Sequence, residues 1–135
     1  MLLISFDFGT SNIGVAIGQQ LTATARPLTS ITAKNGKPYW NQIKKILLEW
    51  KPKIIIIGLP LNMDGTKQHI TYQTEKFAKN IYTKFNITVH MHDERLSTRE
   101  AKSILFYKHG FKSLKKKKID AMSATLILES WLSNH

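Results

Sequence analysis

The sequence contains no cysteine. Disulfides, thiolate metal sites and cysteine nucleophiles are excluded together, so any metal must sit on oxygen or on histidine nitrogen. That usage suits a reducing cytoplasm. No apolar run reaches the roughly 18 to 20 residues needed to span a bilayer, and the opening MLLISFDFG carries an acid where a secretory leader stays apolar. Cytoplasmic location without membrane attachment is the expectation. Acids are scarce: nine Asp and Glu face twenty Lys and Arg, a net charge of +11. Such an excess attracts polyanions and makes nucleic acid the leading partner class, with a merely solvated basic surface as the alternative.

With 135 residues and 42% apolar content, the chain has the size of one ordinary domain, and a single domain over 1–135 is expected. Leu2 to Phe8 and Ile13 to Ile17 read as strands joined by Gly9-Thr10-Ser11-Asn12, a link short enough to impose an antiparallel hairpin. A third strand is predicted over Thr24 to Ile31, before the break at Asn35-Gly36-Lys37-Pro38. Trp40, Ile43, Ile46, Leu47 and Trp50 form a helical stripe that Pro52 ends. Ile54 to Ile57 is a β-branched run of the kind found in strands covered on both faces. A loop over Gly58 to Thr66 precedes a helix with stripe Ile70, Phe77, Ile81 and Phe85, closed by Asn86. Ile87 to His92 is the fifth strand. Ser97-Thr98-Arg99-Glu100 has capping-box form and opens a helix that Gly110 stops. Lys112 and Lys115 to Lys118 read as a basic loop, and Ile119 to Leu132 as the last helix. The sum is an α/β fold: a mixed five-stranded sheet, antiparallel meander plus parallel crossovers, with helices on both faces.

Three acids stand out against this framework. Asp7 ends the most apolar strand, where a desolvated carboxylate needs a cation or hydrogen-bond donors; a metal site and an Asx-type turn with Gly9-Thr10-Ser11 are both consistent with it. Glu94 follows the fifth strand at the crevice where parallel strands end, whereas its neighbour Asp93 reads as a loop charge paired with Arg95 or Arg99. Asp120 shares a helical stripe with Ala124, Ile127, Leu128 and Trp131, unless the helix begins at Asp120 and the acid is its N-cap. Converging, the three would form an all-oxygen site suited to one or two Mg²⁺ or Mn²⁺ ions. Two ions could activate water and stabilise the leaving oxygen of a phosphodiester. His69, His90, His92, His109 and His135 show no convincing ligand spacing, although His90 and His92 alternate on one strand face.

The blocks Asp7-Phe8-Gly9-Thr10 with Ile13-Gly14-Val15-Ala16, Gly58-Leu59-Pro60-Leu61-Asn62-Met63-Asp64-Gly65-Thr66, Asp93-Glu94-Arg95-Leu96-Ser97-Thr98 and Lys118-Ile119-Asp120 together resemble the YqgF family. That family is also described by Holliday junction resolution and by pre-16S ribosomal RNA nuclease activity. The resemblance runs the length of the chain. It implies a ribonuclease H-like fold and a metal-dependent endonuclease that trims the 5′ end of pre-16S ribosomal RNA in a bacterial cytoplasm, with Asp7, Glu94 and Asp120 as metal-binding catalytic acids. The glycine-rich hairpin and the Asn62 to Thr66 loop would flank the site, with backbone amides within reach of a phosphate. One departure is clear: the family usually carries a Lys-Arg pair where this chain has Ser11-Asn12. Lys112, Lys115, Lys116, Lys117 and Lys118 could compensate along the phosphate backbone. With Asn62 and Arg95 they make up the expected nucleic-acid-binding set.

Other readings compete. Asp7 to Asn12 also resembles the first phosphate motif of actin, Hsp70 and sugar-kinase ATPases, but those enzymes close two lobes around a nucleotide and this length supplies one. A non-catalytic RNA-binding module needs no third acid, since carboxylates repel phosphate unless a metal lies between them. A Holliday junction DNA resolvase would need two active sites related by two-fold symmetry. The preferred reading is a nuclease acting on structured or single-stranded RNA precursor, as a monomer or weak homodimer.

Overall fold

The computed structural model describes residues 1–96 and 116–135. The helix expected after Ser97, and Lys112 and Lys115 of the basic segment, lie outside the described residues. The sheet has six strands in the order β4-β3-β2-β1-β5-β6. They are β1 (Leu2–Asp7), β2 (Asn12–Gln19), β3 (Thr24–Lys34), β4 (Lys37–Pro38), β5 (Ile54–Leu59) and β6 (Thr88–Asp93). The sixth strand corrects the expected five. The expected break at Asn35-Gly36 is a tight turn with both residues at positive φ (51° and 80°), so β3 runs on to Lys34 and Lys37–Pro38 folds back on it. β1, β2 and β3 pair antiparallel; β1 with β5 and β5 with β6 pair parallel, as the meander and crossovers required.

Among the described residues three helices cover the sheet: α1 (Trp40–Trp50), α2 (His69–Phe85) and α3 (Lys116–Ser133). Both α1 and α2 end on residues in the left-handed conformation, Lys51 and Asn86, whose amides close the last turn on Leu47 and Tyr82. The start of α2 is held by a capping box between Gln68 and Thr71, and the Thr71 hydroxyl also donates to the Pro60 carbonyl just beyond β5.

The two faces of the sheet are packed differently. Against α1 and α2 lie Ile4, Phe6, Phe8, Ile13, Val15, Ile17, Ile55 and Ile57, joined by Ile43, Leu47, Phe77 and Ile81 from the helices. Phe77 meets Phe6 edge-on at 5.7 Å and Phe8 at 5.0 Å. Against α3 lie Leu3, Ala16 and Ile56 with Ala124, Ile127, Leu128 and Trp131.

That second face is low because β2 presents Gly14, Ala16 and Gly18 to it, alternating with Ile13, Val15 and Ile17 on the other side. A Cβ on Gly14 would lie 1.9 Å from the Asp120 carbonyl oxygen, and one on Gly18 would lie 2.7 Å from Leu128 Cδ2. The helical rise from Asp120 to Leu128 is about 12 Å and the strand rise from Gly14 to Gly18 about 13 Å, so α3 lies along β2, its backbone over Gly14 and its Leu128 side chain over Gly18. Buried Ser5 donates to the Ala124 carbonyl at 2.7 Å, tying β1 to the same helix.

Gly14→Ala is therefore expected to lose about 3 kcal/mol or more of stability, since backbone must shift to admit the methyl group. Urea denaturation measures this; an unchanged midpoint would mean that α3 is not seated on β2 in this way.

Candidate active site

The three acids lie at neighbouring positions at one end of the sheet, on the side that α3 covers. Asp7 is the last residue of β1, pairs with Gly14 and, through it, aligns with Ser30 of β3. Leu3 and Ser5 face α3, so alternation turns half-buried Asp7 to that side as well. Phe6 and Phe8 are buried on the opposite face and fix its orientation.

Asp120 belongs to the second turn of α3, which starts at Lys116; the N-cap alternative is thereby excluded. Its carboxylate accepts a hydrogen bond from Ser30 Oγ at 3.2 Å. The helix start also corrects the reading of Lys116, Lys117 and Lys118 as loop residues: all three are helical.

Glu94 opens a short 3-10 turn, Glu94–Leu96, directly after β6. Its carboxylate reaches back over β5: a Cβ on Gly58 would lie 2.6 Å from Glu94 Oε1 and 2.6 Å from Ile127 Cδ1. β1 and β5 are in register up to Phe6 and Ile57, so Gly58 is one step beyond that pair, as Asp7 is. Asp7, Gly58 with Glu94 above it, and Gly14 with Asp120 above it thus form adjacent positions on the α3 side. The donors are all carboxylate oxygens, the chemistry a hard divalent cation requires. As the side chains stand, no three His, Asp or Glu among the described residues are grouped closely enough to hold an ion.

Asp93 and Arg95 form the expected pair, with Nη2 of Arg95 2.6 Å from Asp93 Oδ2. The guanidinium holds the Asp93 carboxyl below its usual range, and the Arg95 value is raised in return. Arg95 also donates to the Met63 carbonyl at 3.3 Å, so it anchors the Gly58 to Thr66 loop against the end of β6. Inside that loop the Asn62 amide donates to the Thr66 carbonyl, Gly65 to the Asn62 carbonyl, and Thr66 to Asp64 Oδ1. Those three amides, expected to face phosphate, serve the loop's own turn. The Thr66 hydroxyl and amide hold exposed Asp64 below the ordinary carboxylate range. Asn62 Nδ2 donates to Thr66 Oγ1.

His90 and His92 do share a face, the one under α3. His90 lies 6.1 Å from the Trp131 ring, and His92, 5% exposed, has Nε2 2.8 Å from Ser130 Oγ. Their partners are side chains of α3, in keeping with a packing role. Residues that sequence reasoning did not assign to the site are Ser30, which holds Asp120, and Gly14 and Gly58, which make room for Asp120 and Glu94. Glycines inside or at the end of apolar strands were the available signal.

The profile of the family described as "RuvX: Holliday junction resolvase" matches residues 1–134. The chain belongs to this family. A protein named "Putative pre-16S rRNA nuclease" from Buchnera aphidicola subsp. Schizaphis graminum is 55% identical over 135 residues, covering 100% of this chain and 98% of that one. Another of the same name from Wigglesworthia glossinidia brevipalpis is 59% identical over 133 residues, covering 98% and 92%. Among solved structures, T. thermophilus RuvC in complex with a Holliday junction substrate aligns with a TM-score of 0.61 at 12% identity, covering 99% of this chain and 95% of that one. Fowlpox virus resolvase with Holliday junction DNA aligns with a TM-score of 0.60 at 18% identity, covering 99% and 98%. The fold is ribonuclease H-like. No helix among the described residues is long and apolar enough to cross a membrane.

Burial lowers the His92 value below 6.5. In the folded protein the ring stays neutral at pH values where the unfolded chain takes up a proton. Stability is then full above about pH 6.5 and falls as the pH drops below it, until the folded-state value is passed. Urea midpoints at pH 7.5 and 5.5 should fall more for the wild type than for His92→Gln; equal falls would assign the acid sensitivity elsewhere.

Proposed function

We propose that the chain is a single-domain, divalent-metal-dependent endonuclease that trims the 5′ end of pre-16S ribosomal RNA in a bacterial cytoplasm, with Asp7, Glu94 and Asp120 as its metal-binding catalytic acids. The observation that carries this is the seating of Glu94 over Gly58 and of Asp120 over Gly14, on either side of Asp7. Backbone of α3 fills the space over Gly14 and the Glu94 side chain fills that over Gly58, which sets three carboxylate-bearing positions side by side at one end of the sheet, as an all-oxygen cation site needs. The nuclease names of relatives more than 50% identical support the same reading.

Asp7, Glu94 and Asp120 would hold one or two Mg²⁺ or Mn²⁺ ions, which supply water activation and stabilisation of the leaving oxygen in an in-line displacement. Ser30 keeps Asp120 turned to the sheet. Gly58 lets Glu94 cross above β5. Arg95, with Asp93, fixes the Gly58 to Thr66 loop at the rim, where Asn62 would meet the strand being cut. Lysines 112 and 115–118, next to Asp120 in sequence, would neutralise phosphates in place of the basic pair absent at Ser11-Asn12.

Asp7→Asn, Glu94→Gln and Asp120→Asn are each expected to lower Mn²⁺-dependent cleavage of pre-16S RNA about a hundredfold or more while leaving RNA binding measurable. Gly58→Ala is expected to lower it at least about tenfold, because Glu94 must move, with stability changed by no more than about 2 kcal/mol. A readout independent of cleavage is thermal: Mn²⁺ should raise the melting temperature of the wild type, and not of Asp7→Asn. Full cleavage by all three acid variants would refute the assignment.

A junction-cutting reading is favoured by the family description and by the junction-bound structural neighbours. It requires paired active sites. A four-way DNA junction assayed beside the RNA precursor, with gel filtration at working concentration, separates the two: cleavage of the junction by a stable dimer would replace the RNA assignment.

A further inference from the structure

On the opposite face of the sheet from the acids, but at the same end, the β3–β4 turn and α2 enclose a cleft of about 380 Å³. Three carboxamides, Asn35, Gln73 and Asn80, line it together with Lys37 and Lys76, and Trp40 and Phe77 form its apolar floor. The turn is not a loose flap: the Gly36 amide donates to the Thr10 carbonyl at 2.9 Å, joining this wall to the hairpin that follows Asp7. Behind the floor, Phe77 packs on Phe8, the residue next to Asp7.

The composition of the cleft is selective. Lysines alone would suit any anion, but carboxamides carry donors and acceptors side by side, the pattern needed to match the edge of a nucleobase. Lys37 and Lys76 stand beside them as phosphate partners, and Lys79 and Lys84 continue along α2. We infer that this cleft is a second contact site for the RNA strand, taking a single-stranded nucleotide that flanks the one being cut. The inference rests on the nuclease reading above and supplies what that reading lacks, a base-contacting surface away from the acids. It also places cationic charge at the Asp7 end of the sheet, where Ser11-Asn12 offers none.

The test is a fluorescence-anisotropy titration of a labelled single-stranded RNA from the 5′ end of the precursor, with chelator present to stop cleavage, at several salt concentrations. Gln73→Ala with Asn80→Ala should weaken binding about five- to tenfold without changing its salt dependence, since only hydrogen bonds are removed. Lys37→Ala with Lys76→Ala should weaken it and reduce the slope of log K against log salt by about 1.4, two single-strand phosphate contacts. Lys51→Ala with Lys53→Ala, at the far end of the sheet, serves as the control and should do neither. Wild-type affinity in both cleft variants, or equal loss in the control, overturns the proposal while leaving the nuclease reading intact. A wild type that neither binds this RNA nor cuts the precursor with Mn²⁺ overturns both.

Discussion

Everything at the candidate site depends on how near a helix can come to a strand. α3 reaches β2 closely enough for the Asp120 carbonyl to occupy the space of a side chain at Gly14, and the glycine, alanine, glycine alternation of β2 permits it. A carboxylate at that distance can share a site with one on β1, only one strand away. With ordinary side chains on β2 the helix would stand off by several ångströms, as helices over sheets normally do, and Asp120 would be beyond reach of Asp7. The same logic recurs at Gly58, whose missing side chain is the room that Glu94 uses.

The two faces divide the work. The α1 and α2 side carries the aromatic cluster, with Phe6, Phe8 and Trp40 around Phe77, and the isoleucines of β1, β2 and β5. Large buried apolar area supplies most of the stabilisation a domain of this size has. The α3 side has small residues on β2, carries hydrogen bonds that join Ser5, Ser30 and His92 of the sheet to the helix, and holds the acids. Phe6 and Phe8 connect the two, because anchoring both neighbours of Asp7 on the heavy side leaves its carboxylate a single direction.

Much of this was legible before any coordinates. Alternation and β-branched runs placed β1, β2, β5 and β6, and the stripes placed α1, α2 and α3. Asp93 read as a loop charge paired with Arg95 or Arg99, and the structure pairs it with Arg95. The six-strand count was missed because a two-residue strand has no period to detect, and Asn35-Gly36 signals a turn without saying whether the chain pairs on leaving it. Lys116 to Lys118 looked like a loop because like charges in series disfavour a helix, yet α3 includes them. The hydroxyl of Ser30 on Asp120 was invisible, since it joins residues ninety positions apart through pairing across two strands. Asp7, Glu94 and Asp120 stood out as carboxylates next to apolar segments, with an Asx turn at Asp7 and an N-cap at Asp120 as the local alternatives.

A helix resting on a sheet through side chains alone has slack. It can slip by one residue, a translation of about 1.5 Å, and each such slip also rotates it by about 100°. For α3 one step would carry Asp120 from the sheet to the side of the helix. At Gly14 the backbone of the helix fills the space a side chain would take, while at Gly18 the Leu128 side chain does so. The position of Asp120 along β2 is therefore set where the backbone of the helix fits over the backbone of Gly14, rather than by side-chain packing alone.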